Sequence, residues 1–279
     1  FGQLMSARGE GFRLTVYAGG FETPAWFRRC IMYQIFPDRF ARDWSDTARE
    51  GIEKHRAMGR HVKYHEDWNE PVDWQANSAD GFYFPLDFYG GTLKGVESRL
   101  NYLKSLGVGV IYFNPVFEAC SNHRYDTADY LNIDPILGTN ADFEDLCTAA
   151  ERMGIRIMLD GVFSHTGADS IYFNKFSHYP DAGAYNAGSA SPYYGWYDFR
   201  HYPNDYRCWW NFPDLPEVDE GNADWRDFVI TGRDSVVRTW IRRGAAGWRL
   251  DVADELPDEA LCLIRQAAKA EDPDAVVLG

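Results

Sequence analysis

Apolar positions along this chain follow two alternating rhythms. Short apolar runs, closed by glycine, proline or polar residues, mark strands near 31–36 (CIMYQIF, stopped by Pro37), 108–113 (VGVIYFNP), 155–161 (IRIMLDGVF), 246–252 (AAGWRLDVA) and 275–279 (DAVVLG). Between them the spacing turns helical. TLKGVESRLNYLKSLG places Leu93, Val96, Leu100, Leu103 and Leu106 on one face and stops at Gly107. NADFEDLCTAAERMG predicts a helix with Asn140 as its cap and Gly154 as its stop. NADWRDFVITGRDSVVRTWIRRG predicts one long helix from Asn222 to Gly244, and PDEALCLIRQAAKAED another with Pro257 at its start. Residues 41–90, with HEDWNEPVDWQ in their middle, read as a polar, aromatic, irregular insertion.

Strand and helix in strict alternation imply parallel βαβ units, which both a doubly wound sheet and a (β/α)8 barrel would satisfy. No G-x-G-x-x-G follows the first strand and no phosphate loop occurs, which weakens a nucleotide-binding sheet. The strands end in polar residues: Asp38 and Arg39, Asn114, Asp160 and His165, Arg249 and Asp251. Barrels of this type carry their chemistry at those ends. These ends favour an α/β fold of the (β/α)8 TIM-barrel type, broken off after about the fifth strand, over the doubly wound sheet without excluding it. A small Tyr-, Trp- and Pro-rich subdomain at about 166–221 interrupts it after the third strand. Residues 1–20, including GFRLTVYAGG, read as the end of an N-terminal β domain, with FETPAWFRR as linker and the partial barrel over 21–279.

Composition narrows the partners. The chain has 279 residues, 45% of them hydrophobic, and a net charge of −14 with no basic cluster. That speaks against nucleic acid and anionic membrane surfaces, and no apolar run reaches the roughly 18 residues of a membrane span. The five scattered cysteines, Cys30, Cys120, Cys147, Cys208 and Cys262, form no C-x-x-C and read as a reduced, cytoplasmic set. The first residue is Phe1, so the start is read as trimmed and says nothing about export. Aromatic residues make up 16% of the chain, with ten tryptophans, which fits either core or a stacking surface for sugar rings.

One juxtaposition asks for a chemical reason. Arg249 and Asp251 lie two apart in an apolar strand, so both aim at one face, where unpaired charge is costly. A buried ion pair without function is the plain explanation. The other explanation is a functional one.

LDGVFSHTG (Leu159–Gly167) and GWRLDVADE (Gly247–Glu255) resemble two signature regions of the α-amylase family of glycoside hydrolases. YQIFPDRF, SLGVGVIYFNPVFEA and SNHRYDTADYLNIDPILGT are similar to the same family, nearest its neopullulanase and cyclomaltodextrinase branch. The resemblance runs from about Phe21 to Gly279. It implies a retaining hydrolase, or transglycosylase, of α-glucosidic bonds in starch, maltooligosaccharides, cyclodextrins or pullulan. It makes Asp251 the nucleophile and gives Arg249 a place beside it. His165 would contact hydroxyls of the sugar next to the scissile bond, and Tyr125 would stack beneath that sugar. His123 and Asp126 would join the same pocket, Asp254 and Glu255 would face the leaving group, and Asp160 would hold the strand ends and Arg249.

Two departures from the family pattern stand out. Ser164 occupies the place of a calcium-binding asparagine, and a hydroxyl is a poorer ligand for a cation that wants six to eight oxygens. No cofactor is therefore certain, and calcium at another site stays open. FPDLP (Phe212–Pro216) matches neither specificity variant of a short family motif, so the choice between α-1,4 and α-1,6 bonds stays open as well. Retaining hydrolysis needs a second carboxyl about 5–5.5 Å from the nucleophile. The resemblance puts that glutamate just after Gly279, so this stretch alone is expected to be inactive. The alternatives are a non-catalytic α-glucan-binding member of the fold, and a metal-dependent barrel built on His123, His165 and Asp160, for which no H-x-E-x-x-H spacing exists. A homodimer is left open.

Overall fold

A computed structural model describes residues 19–43, 45–75 and 85–279. Most of the predicted N-terminal strand lies outside the described residues. The central sheet has five parallel strands: β1 (Ile31–Ile35), β2 (Val108–Phe113), β3 (Arg156–Gly161), β4 (Gly247–Leu250) and β5 (Val276–Leu278). Their order in the sheet is their order in the chain. A doubly wound sheet reverses direction at a switch point. This one does not, and it progresses as a barrel wall does.

The two faces of the sheet differ as alternation requires. Ile111, Phe113, Ile157, Leu159, Trp248 and Leu250 belong to the main core, which the helices cover. Val110, Tyr112 and Met158 form a second cluster on the opposite face with Val276. Register pairs Gln34 with Tyr112, Tyr112 with Met158, and Asp160 with Arg249. The polar strand ends thus continue the inner face.

The covering helices are α2 (Leu93–Ser98), α3 (Leu100–Ser105), α4 (Asn140–Arg152), α5 (Val236–Arg242) and α6 (Asp258–Glu271), preceded in the chain by α1 (Thr47–Ala57). Several expectations change in detail. The first predicted helix is broken at Arg99, and Leu106, expected on its buried face, is 45% exposed beyond the end of α3. Thr139 rather than Asn140 caps α4. Its hydroxyl accepts from the Asp142 N–H while Asp142 reaches back to the Thr139 N–H. Asn140 instead accepts from the Ile133 N–H.

The long helix from Asn222 is also divided. Asn222 does cap its first turn, accepting from the N–H groups of Asp224 and Trp225. A π turn over Asp227–Thr231 and a bend at Gly232 then separate it from α5. The irregular insertion at 41–90 contains a regular element, α1. Its buried face is Ala48, Gly51, Ile52 and His55, packed near Phe88 and Ile136. Gly51 and His55 disguise the apolar stripe. Glycine is needed there, because a Cβ would lie 2.4 Å from the Ile136 backbone.

The insertion after β3 is knit by aromatic packing among Tyr172, Phe173, Trp196, Tyr197 and Tyr206. Isolated bridges join His165 to Glu217 and Tyr197 to Val218, so its last residues return to its first. Trp196, Trp225, Trp240 and Trp248 are buried, whereas Trp74 and Trp210 are exposed. The aromatic surplus therefore serves core and surface alike. Among the described residues no helix is long and apolar enough to cross a membrane.

Candidate active site

The inner face gathers charge at the C-terminal ends of β3 and β4. Asp160 and Arg249 are register neighbours across the two strands. Asp251 follows β4, its N–H bonded to the Gly161 carbonyl. Arg249 Nη1 donates to Asp251 Oδ1 at 2.6 Å and to both oxygens of Asp160, at 3.2 and 3.3 Å. The strand is shorter than predicted, because Val252 takes φ +42. Such a conformation in a β-branched residue costs on the order of 1–3 kcal/mol and persists where surrounding structure imposes it. It turns the chain directly after Asp251.

Asp160 is the hub. Tyr112 and Tyr125 donate their hydroxyls to its Oδ2, Tyr125 at 3.2 Å. Asn114 donates to the Tyr125 hydroxyl at 3.2 Å, and Gln34 donates to Asn114 Oδ1 at 2.9 Å. A chain of polar contacts thus crosses from β1 to Asp251. Burial lifts the Asp160 carboxyl to about 6, against the opposing pull of Tyr112 and Arg249. Above that pH it is a carboxylate. Burial, then Asp160 and Asp251, push the Tyr125 phenol up to about 12, and burial and Asp160 raise Tyr112 further, so both remain donors. Asp160 is 1% exposed, whereas the Asp251 side chain keeps 15% of its surface open to a ligand.

His165 is buried and its pKa falls to about 4, chiefly through burial, which leaves a neutral imidazole at neutral pH. Its Nδ1 lies 3.0 Å from the Ser164 hydroxyl. Its Nε2 is buried and makes no ordinary hydrogen bond among the described residues. The ring is not without a partner, because a contact with the Tyr125 backbone raises its pKa against the larger effect of burial. His123 Nδ1 accepts from the Tyr125 N–H at 3.1 Å and lies 3.0 Å from the Ser121 hydroxyl, which supports the loop that presents Tyr125. Asp126 accepts from the N–H groups of Cys120 and Ser121 and from the Ser121 hydroxyl, so it braces the same loop.

Not every polar strand end joins this group. Asp38 is buried and accepts from the N–H groups of Tyr89 and Gly90, while Arg39 holds Asp38 and the Asp87 carbonyl. These residues anchor the returning end of the 41–90 excursion. Asp254 is exposed. Glu255 accepts indole N–H bonds from Trp209 at 2.9 Å and Trp210 at 3.1 Å. Sequence reading missed Tyr112 and Gln34. Each sits inside an apolar run, and only the register shows that they share the face of Asp160.

The residues around Ser164 do not fit a calcium, since the hydroxyl is engaged by His165 and no carboxylate bonds to it. Among the described residues no three His, Cys, Asp or Glu side chains gather as a metal ion would require. One cleft, of about 640 Å3, is lined by Glu144, Cys147, Arg156, Arg242 and Asp272. It lies at the opposite ends of β3 and β4, and no cluster like that at Asp160 and Arg249 lines it.

Residues 34–275 match the family described as alpha amylase, catalytic domain. The chain belongs to the α-amylase family. It is 40% identical to an amylopullulanase of Thermoanaerobacterium saccharolyticum, over 99% of the chain and 23% of that protein. It is 34% identical to neopullulanase 2 of Thermoactinomyces vulgaris, over 93% of the chain and 40% of the relative. Among solved structures it resembles the type III pullulan hydrolase of Thermococcus kodakarensis, with TM-score 0.77 and 29% identity over 93% of this chain and 44% of that one. The cyclic α-maltosyl-(1→6)-maltose hydrolase of Arthrobacter globiformis matches with TM-score 0.71 and 29% identity, over 91% of this chain and 51% of that one. The chain thus spans well under half the length of the curated relatives it matches. The fold is that of the family's α/β barrel, and the relatives are glycoside hydrolases.

Proposed function

We propose that this chain carries the nucleophile half of a retaining α-glucan hydrolase, acting on the α-glucosidic bonds of pullulan, cyclodextrins or maltooligosaccharides. The observation that carries this reading is the sharing of one Arg249 nitrogen between Asp160 and Asp251. Arg249 positions Asp251, and Asp160 fixes Arg249. The Asp251 carboxylate attacks the anomeric carbon as the glycosidic C–O bond breaks, and the leaving oxygen takes up a proton. Water then attacks the same carbon, giving up a proton and releasing the carboxylate, so two displacements restore the configuration. A sugar hydroxyl in place of water gives transglycosylation. On this reading the neutral His165 contacts a sugar hydroxyl, and Tyr125, half-buried beside Asp160, presents its ring to the same sugar.

A proton donor is also required. Asp160 is engaged by two tyrosines and Arg249, and both oxygens of Glu255 are engaged by indoles. Neither is free for that role, and on this reading the 279-residue chain alone is without hydrolytic activity. The names of the relatives support the substrate class: amylopullulanase, neopullulanase and pullulan hydrolase.

The test traps the covalent intermediate. The full-length protein is treated with a 5-fluoro-α-glucosyl fluoride, and the labelled peptide is sequenced by mass spectrometry. The expected adduct is an ester on Asp251. An adduct on another residue, or a product released first as the β-anomer, rejects the mechanism. Pullulan or cyclodextrin hydrolysis by the 279-residue chain itself, lost in Asp251→Ala, rejects the proposed inactivity.

A further inference from the structure

Beside this site the molecule exposes two large aromatic rings in a costly arrangement. Trp210 is 70% exposed and Phe212 55%. Trp210 and Asn211 adopt φ +48 and +61, two consecutive non-glycine residues in the left-handed region. Conformations of this kind are retained where structure around them enforces them. Here the enforcement is visible. The indole N–H groups of Trp209 and Trp210 converge on the two oxygens of Glu255, at 2.9 and 3.1 Å. The Trp209 ring is nearly parallel to Trp210 (26°, centroids 5.4 Å apart) and to Phe212 (25°, 6.2 Å). It also lies 5.6 Å from the ring of His165, tilted by 32°. The stack therefore begins at the proposed sugar pocket and runs outward to exposed faces.

Glu255 lies only four residues past Asp251, so the nucleophile's own loop holds these rings. Exposure of large apolar faces is unfavourable in water, and packing alone gives no reason to clamp them outward. A pyranose ring presents a flat C–H face that matches such a surface.

We propose that Trp210 and Phe212 form a second rest for a glucosyl residue of the bound chain, outside the pocket at Asp251, and that Glu255 is the positioning residue that sets it. The ligand is a pyranose of an α-glucan, and in this the inference rests on the α-glucan reading above. Glu255, with both oxygens taken, acts through the indoles and not on the sugar.

The test is binding of maltoheptaose to the full-length protein carrying Asp251→Asn, so that no glucan is consumed, read by calorimetry and tryptophan fluorescence. Trp210→Ala and Phe212→Ala are each expected to weaken binding at least about fivefold with an unchanged melting temperature. Glu255→Gln retains one acceptor and faces the other indole N–H with an amide N–H2. It should weaken binding in the Trp210 background and have no further effect in Trp210→Ala. If the parent binds maltoheptaose and both aromatic variants bind it equally well, the rest is refuted and the α-glucan reading stands. If the parent binds no glucan, both fall. If Trp210→Ala leaves affinity intact and abolishes self-association instead, the surface joins copies of the chain and the proposal is overturned.

Discussion

Asp160 and Arg249 are register partners on adjacent parallel strands, and Arg249 carries the contact on to Asp251 at 2.6 Å. A lysine in place of Arg249 would end in a strongly hydrated ammonium on a flexible stem, which holds one nitrogen between two carboxylates less rigidly than a planar guanidinium does. Arg249→Lys in the full-length protein is expected to lower kcat on maltooligosaccharides at least 100-fold. Because it leaves the buried Asp160 poorly compensated, it should also cost about 3 kcal/mol of stability. Steady-state kinetics and chemical denaturation check the two effects. A variant with kcat within tenfold of the parent would show that the shared contact is structural only.

The sign of the pH dependence at Asp160 follows from its elevated pKa of about 6. An unfolded aspartate titrates near 3.9. Between about pH 4 and 6 the folded state therefore holds a proton that the unfolded state has lost. The contribution of this group is fully present below about 4 and is lost as pH rises through about 6. Its size is at most about 3 kcal/mol. Asp160→Asn cannot ionise, so subtracting its unfolding free energy from that of the parent should give a curve that falls across this window and is flat above it. A difference curve that rises with pH would mean that Arg249 and the tyrosines outweigh burial.

Much of this site is legible in the order of residues, because the chemistry and its spacing lie within short segments. The alternation in GWRLD by itself aims Arg249 and Asp251 one way. The apolar rhythm locates all five strands of the sheet, and the ordered progression from β1 to β5 then separates a barrel from a doubly wound sheet. What is illegible depends on contacts between distant segments. Tyr112 in VIYF reads as core, and only its register with Met158 puts its hydroxyl under Asp160. Helix α1 hides because glycine and histidine fill half its buried face, which makes an amphipathic stripe look polar. Resemblance places Glu255 near the leaving group, but its grip on two indoles involves residues some 45 positions earlier in the chain.

Tyr112 gives the third prediction. Its hydroxyl favours the ionised form of Asp160, so Tyr112→Phe should raise the Asp160 midpoint further and cost about 1–2 kcal/mol. The window of falling stability should then extend above pH 6. In the full-length enzyme the acid limb of kcat/KM should move in the same direction, since protonated Asp160 holds Arg249 less firmly. Stability profiles of parent and variant, measured over the same pH range, check this. Superimposable profiles would show that Tyr125 and Arg249 suffice to set the state of Asp160.

The position of Arg249 also depends on a residue with no side chain. Gly247 opens β4 opposite Val276 of β5, and a Cβ there would lie 2.0 Å from the Val276 carbonyl oxygen. That oxygen belongs to the backbone of a paired strand and cannot rotate away. Gly247→Ala must therefore separate β4 from β5 and carry Arg249, two residues on, out of line with Asp160. The expected cost is about 3 kcal/mol or more, at the upper end of overpacking in a close-packed interior. Loss of glucan turnover should exceed what lowered stability explains at a temperature where the variant stays folded. Denaturation by urea measures the first effect, and kinetics at 15–20 °C, roughly where folded proteins are most stable, measure the second. A Gly247→Ala protein that unfolds with the parent would mean that the two strands do not approach as closely as their pairing requires.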